Sequence, residues 1–265
     1  MKKMKMAFVA AISMSVLFVS CQKDVKTTKT EVSQEELNQI AAMGFSTDGV
    51  MIESDGFIVE GDIFIPRADL GKVSTSPNLV VASEEQYRTT NLVTGLPRVI
   101  TVQVSSSLPA AYVTNTDAAI ARYNALGLSL TFQRVSSGGN IVISAAPTGA
   151  GYLASAGFPT ASGEPYGQVK INSRYIGNNP NTNYLATILA HEIGHCIGFR
   201  HTDYMDRSYS CGGGTANEGA STVGAVHIPG TPTDADPGSW MLACLSASTN
   251  RPFNNNDKTA LGYLY

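Results

Sequence analysis

The sequence predicts an α+β fold, on three observations. From about residue 84 the apolar patterns run in the order strand, helix, strand, strand, strand, strand, helix. The second helix carries His191-Glu192-Ile193-Gly194-His195, with a further histidine at His201. A long glycine-rich stretch follows, mostly loop as far as Met241, and a short helix closes the chain. Five strands, two long helices and a loop-rich C-terminal part result.

Each element has its own warrant. Lys2, Lys3 and Lys5 precede an apolar run over residues 7–19 that is too short to span a bilayer. It ends at Ser20-Cys21, so residues 1–20 read as a signal peptide and 21–31 as a polar tether. Ser33 and Glu36 form a capping box; Leu37, Ile40 and Ala41 continue with helical spacing until Gly44. Residues 57–65 are strand-like, interrupted at Glu60-Gly61-Asp62. Residues 70–83 read as a linker, in which Leu79-Val80-Val81 could add a strand. Strands are expected at 99–104, 128–135, 140–144 and 168–172, with a short edge strand inside the irregular stretch 151–167. Helices are expected at 115–126, 183–197 and 256–264; the last has Asp257 in its first turn.

The chain has 265 residues, 43% of them hydrophobic, enough for one medium domain with appendages. A net charge of −3 argues against nucleic acid as a partner. Of the four cysteines, Cys196 sits on the apolar side of its helix and reads as a core thiol. Cys211 and Cys244 lie in loops and are the preferred disulfide, although any pairing of Cys196, Cys211 and Cys244 is compatible with the sequence.

Three of the four histidines fall within residues 191–201, in the pattern H-E-x-x-H-x-x-G-x-x-H. His191 and His195 are one helical turn apart and share a face, so both can bind one zinc ion. Gly198 allows a positive φ that brings His201 round as a third ligand. Glu192, about 100° round the helix from His191, can take a proton from water beside the metal. Three protein ligands leave one position open, as catalytic rather than structural zinc requires. The competing reading is a histidine-rich helix without metal.

With this motif, the order of elements resembles the metzincin clan of metallopeptidases over residues 84–265. The wording His-Glu-Ile-Gly-His, and Gly238-Ser-Trp-Met-Leu-Ala-Cys244, are similar to the bacterial HEIGH-type members; residues 256–265 are similar to the last helix of matrixins. The resemblance implies a twisted mixed sheet carrying two helices, an active-site cleft floored by the zinc helix, and Met241 as an apolar floor under the ligands. It also implies a polypeptide substrate, here expected to add as a strand to the 151–167 edge. Ala243 stands where astacin-like enzymes have a tyrosine, so no tyrosine switch is assigned, and Tyr204 and His227 are the candidates for stabilising the oxyanion.

Residues 17–21, Leu-Phe-Val-Ser-Cys, resemble a bacterial lipobox. That implies lipidation at Cys21 and, with Gln22 next, the outer membrane or cell surface of a Gram-negative bacterium. An ordinary secretory signal is the alternative. Residues 32–83 are a candidate prosegment and linker ahead of the catalytic domain at 84–265. Gly61-Asp62 resembles the Phe-x-Gly-Asp of astacin-type zymogens, with Val59 at the Phe position, and implies that Asp62 occupies the open zinc position as a latch. A plain Gly-Asp turn is the alternative. Cleavage in the linker, or after Arg67 or Lys72, would then activate and release the domain. Asp203, Asp206, Asp234 and Asp236 lie in loops and could hold calcium or serve as solvated turn residues. A lipid-anchored binding protein on the same scaffold and a zinc amidase acting on cell-wall peptides are the rival functions.

Overall fold

The computed structural model describes residues 31–72, 86–219, 224–232 and 235–265. The signal segment, Cys21 and the tether as far as residue 30, the segment Leu79-Val80-Val81 and Asp234 lie outside them. Val32–Tyr265 forms one compact unit. Its elements in chain order are α1 (Gln34–Ala42), β1 (Met51–Ile52), β2 (Gly56–Val59), β3 (Ile63–Pro66), β4 (Tyr87–Arg88), β5 (Arg98–Val104), α2 (Ala111–Asn124), β6 (Leu130–Val135), β7 (Ile141–Ala145), β8 (Ala154–Ala156), β9 (Gln168–Ile171), α3 (Ser173–Ile176), α4 (Thr182–Cys196), α5 (Ser208–Cys211), β10 (Val226–His227) and α6 (Asn255–Leu264). A single 3-10 turn, Arg67–Asp69, follows β3.

The fold is α+β, as expected. All five expected strands are present, as β5 to β9, and three more from residues 51–66 extend them into an eight-stranded mixed sheet of order β1-β2-β3-β8-β9-β7-β5-β6. The register of β5 runs parallel to β6 from Arg98↔Leu130 to Gln103↔Val135, and β7 lies parallel to β5 on its other side. The short β8 pairs antiparallel with β9. Its outer edge, expected to be open to a substrate, is taken by β3, which pairs in parallel through Ile63↔Ala156. The physical reason is burial. Phe57, Val59, Ile63 and Ile65 form an apolar cluster with Ile40 of the first helix and with Met43 and Phe45 just after it, so residues 32–72 bury their own apolar face while completing the sheet.

The main core lies between the sheet and the two long helices. Ile100, Val102, Leu130, Phe132, Ile141 and Ile143 face Tyr112, Ala119, Ile120 and Tyr123 of α2 and Leu185, Leu189 and Ile193 of α4. Val99, on the opposite face of β5, is 53% exposed, the alternation of a half-buried strand. Every residue of α4 from Leu185 to Cys196 is buried. Asn181 caps it through the N–H groups of Asn183 and Tyr184. The second helix begins four residues earlier than expected. Its first turn is closed by the carbonyls of Pro109 and Ala110 rather than by a polar side chain, so no cap residue marks the start. A two-stranded ribbon, β4 with β10, was not expected. It positions the chain leaving α4: Thr89 N–H donates to the Gly198 carbonyl, and Arg200 N–H to that of Tyr87.

Candidate metal centre

The exit from α4 sets the site. Gly198 adopts φ 108°, in the left-handed region, which turns the chain back under the helix. This brings His201 against His191 and His195, all three of them buried. Each ring is oriented through its Nδ1: His191 to the Trp240 carbonyl at 2.8 Å, His195 to the Phe199 carbonyl at 2.8 Å, and His201 to both oxygens of Glu218 at 3.1 Å. These acceptors fix the Nδ1–H tautomer and leave each Nε2 with a bare lone pair. The three Nε2 atoms converge, those of His191 and His195 lying 3.0 Å apart. Converging lone pairs repel unless a cation lies among them, so the donor set fits a divalent metal with imidazole ligands. Burial drives the His195 pKa well below the ordinary histidine range, which favours the neutral, ligating form.

Asp62 enters the same cluster from the turn between β2 and β3. Its Oδ1 lies 3.2 Å from His201 Nε2 and 4.0 Å from His195 Nε2, and its Oδ2 lies 3.4 Å from His191 Nε2. Although burial opposes its charge, the three imidazoles hold its pKa well below the ordinary carboxylate range. At His201 burial also opposes charge, but Asp62 and Glu218 together raise the pKa well above the usual value. The turn is held on both sides. Ala156 N–H donates to the Asp62 carbonyl at 3.1 Å. Glu60, at φ 56°, makes a wholly buried ion pair with Arg200 at 3.1 Å.

Glu192 is buried, lines the cleft beside His191, and has an Oε2 without a hydrogen-bond partner among the described residues. Burial and the neighbouring Asp62 charge raise its pKa well above the usual range. Met241 lies beneath the middle of the motif. A β-carbon on Gly194 would come within 2.6 Å of its sulfur, so the close approach of Met241 requires glycine at position 194. Thr202 N–H donates to the Met241 carbonyl at 2.9 Å and ties this turn to the third histidine.

The cleft, about 320 Å³, is lined by His191 and Glu192, by Leu153 and Ala154 at β8, and by the segment after Met241. Cys211 and Cys244 are joined in a disulfide on its wall, and Cys196 is free and buried. Tyr204 and His227 do not line it. Tyr204 stacks edge-on against Tyr87, and His227 contacts the Thr231 hydroxyl at 3.0 Å. Tyr204 lies in a loop and His227 on the two-residue β10, at places no local pattern reveals, and neither is among the residues lining the cleft. The aspartates considered for calcium serve separate turns. Asp203 accepts from Ala243 N–H and Ser210, Asp206 from Ser208 and Ala216 N–H, and Asp236 from Gly238 N–H, Asn254 and Asn256. Two residues escaped sequence reasoning. Glu218, which orients His201, sits in a loop with no spacing signal; Trp240, whose carbonyl orients His191, could have been suspected from its place beside Met241.

A family model described as "Dual-action HEIGH metallo-peptidase" matches residues 58–265, starting inside β2 and so including the turn that carries Asp62. No curated protein matches the chain. Among solved structures, one of myroilysin is similar at 16% identity and a TM-score of 0.46, covering 66% of this chain and 96% of that one. A second structure of myroilysin has 17% identity and a TM-score of 0.32, covering 52% of this chain and 57% of the other.

Proposed function

The chain belongs to the dual-action HEIGH metallopeptidase family, and from that premise we propose that it is a zinc-dependent endopeptidase with Glu192 as its general base, made latent by Asp62. One observation carries the reading: three imidazoles with every Nδ1 committed and every Nε2 turned to a common point, beside the buried Glu192, which lines the cleft and has an oxygen without a partner among the described residues. His191, His195 and His201 would hold the ion, with Met241 as the floor beneath. When bound, zinc supplies the Lewis acidity that makes water a nucleophile near neutral pH and polarises the scissile carbonyl.

The rest is the work of the chain. Glu192 accepts the proton of the attacking water at Oε2 and delivers it to the leaving amine. The peptide lies extended beside β8 where Leu153 and Ala154 line the cleft, next to the single Ile63↔Ala156 pair that β3 makes. Asp62 places an anionic oxygen where the water would sit, so the present arrangement is inactive while that carboxylate is in place. A binding protein on the same scaffold has no use for Glu192, which disfavours that rival. The N-terminal sequence supports export and lipidation at Cys21, which lies outside the described residues. A surface lipoprotein whose domain is released by cleavage between residues 67 and 83 is the arrangement we favour.

Glu192→Ala should retain the metal and the fold and lower peptide cleavage by about 10²–10⁴-fold; cleavage at the wild-type rate refutes the base assignment. A chelator should abolish activity and added zinc restore it. Asp62→Ala should make the uncut full chain active. If uncut wild type and variant cleave equally, or both remain silent, Asp62 is no latch.

A further inference from the structure

We propose that the cleft selects an acidic side chain beside the scissile bond and that Arg251 is the residue that recognises it, an inference that rests on the endopeptidase reading above. Beyond His191 and Glu192 the cleft runs along α4 past Ile188 and Thr187, and its far wall is the segment Leu242 to Leu245 after the Met241 turn. Ile188, Leu242 and Leu245 make it apolar, and Arg251 stands in it.

The charges lining this space are not equivalent. Glu60 is paired with Arg200, Asp62 lies among the histidines, and Arg207 faces Glu218 at 4.0 Å. Arg251, half-buried, has no carboxylate within ion-pair distance among the described residues. Its one side-chain hydrogen bond among them runs from NH1 to the Cys244 carbonyl at a long 3.4 Å. Its backbone is fixed from both sides: its N–H donates to the Thr187 hydroxyl at 2.9 Å, and its carbonyl accepts from Arg122 at 3.2 Å. Burial opposes its charge and outweighs Asp203, Asp257 and Asp236, which favour the charge without pairing with it, so its pKa lies below the ordinary arginine value.

A guanidinium held in an apolar-walled slot, with most of its five donors unspent, matches a carboxylate in shape and charge. A neutral side chain would cover the guanidinium without using its unspent donors, and a lysine or arginine would meet like charge. A glutamate or aspartate next to the cut bond satisfies both the walls and the head group. Of the carboxylates lining the cleft, Glu60 is held by Arg200, Asp62 is removed by Asp62→Ala, and Glu192 lies at the scissile end beside His191.

Cleavage sites of a random peptide library, read by mass spectrometry with the zinc-loaded full chain carrying Asp62→Ala, test this. Glutamate and aspartate should be enriched at one position flanking the cut. A matched peptide with Glu there should be cleaved roughly 10- to 100-fold more efficiently than its Gln isostere. Arg251→Gln, which keeps a donor for the Cys244 carbonyl, should collapse that ratio towards one, and Arg251→Glu should shift enrichment to lysine and arginine. A flat or purely apolar profile, or a ratio unmoved by Arg251→Gln, overturns the proposal.

Binding gives a readout independent of turnover. Fluorescence anisotropy of the same two labelled peptides on full chain carrying Asp62→Ala and Glu192→Ala should favour Glu by about tenfold, and Arg251→Gln should remove the preference. Equal affinities before and after that change overturn it. If this form binds with the preference while the zinc-loaded Asp62→Ala chain that keeps Glu192 cuts no peptide, the pocket stands and the endopeptidase reading falls instead.

Discussion

Gly194→Ala sets two opposed effects against each other at one atom. Gly194 lies inside α4, where alanine is favoured over glycine by about 0.5–1 kcal/mol. The added β-carbon, however, would stand 2.6 Å from the Met241 sulfur and 3.1 Å from Trp240 Nε1, against ordinary contacts of about 3.5–4.0 Å. Met241 cannot simply swing away. It is fully buried, its carbonyl accepts from Thr202 N–H at 2.9 Å, and its own N–H donates to the Ser239 hydroxyl at 3.2 Å. Overpacking of this kind costs about 1–3 kcal/mol, so the net effect is a destabilisation of up to about 2.5 kcal/mol and a melting temperature lower by up to roughly 10 °C. Because the Trp240 carbonyl orients His191, displacing the turn should also weaken metal binding by about 10- to 100-fold. Calorimetry with and without metal, and competition with a chromophoric chelator, measure the two effects. A raised melting temperature with unchanged metal affinity would mean that helix propensity decides at this position and that Met241 does not press on the helix.

The buried Glu60–Arg200 pair should behave as one unit: Glu60→Gln alone should cost about 3–5 kcal/mol in urea unfolding, and adding Arg200→Met should recover most of it. A loss under about 1 kcal/mol would show that nearby Glu218 compensates for the missing charge. Asp257 carries a pH signature. Burial pushes its carboxyl from 3.8 up to about 6, although the N–H groups of Asn254 and Trp240 oppose the shift. The folded state therefore holds this proton more tightly than the unfolded chain. The stability it contributes is full below pH 4 and is lost as pH rises through about 6, by up to about 3 kcal/mol. Unfolding of Asp257→Asn and wild type compared from pH 4 to 7 should show this slope only in wild type; parallel curves would assign the titration elsewhere.

The helices were readable where the signal is local. The Ser33–Glu36 and Asn254–Asp257 capping boxes each close between residues three apart, so α1 and α6 begin within a residue or two of where the pattern puts them. The start of α2 was not readable, since backbone carbonyls close its first turn. In the site, the three histidines and Glu192 were visible because the helical repeat and one glycine suffice to converge them. Trp240 and Glu218 act through a carbonyl and a loop carboxylate supplied from 49 and 17 positions away, and no spacing rule links them to their histidines.

By itself, then, the sequence determined which groups could hold a metal, where the helix carrying them lies and that the core is a sheet under two helices, because these follow from periodicities of two and 3.6 and from backbone freedom at single residues. Only the tertiary structure decided that residues 51–66 extend the sheet, that β3 covers the free edge of β8, that Asp62 reaches the histidines, and that Arg251 stands in the cleft without a partner carboxylate among the described residues. Those facts depend on which apolar surfaces find each other across long stretches of chain, and on where loops are carried as a result. That information is spread over the whole fold rather than written in any segment.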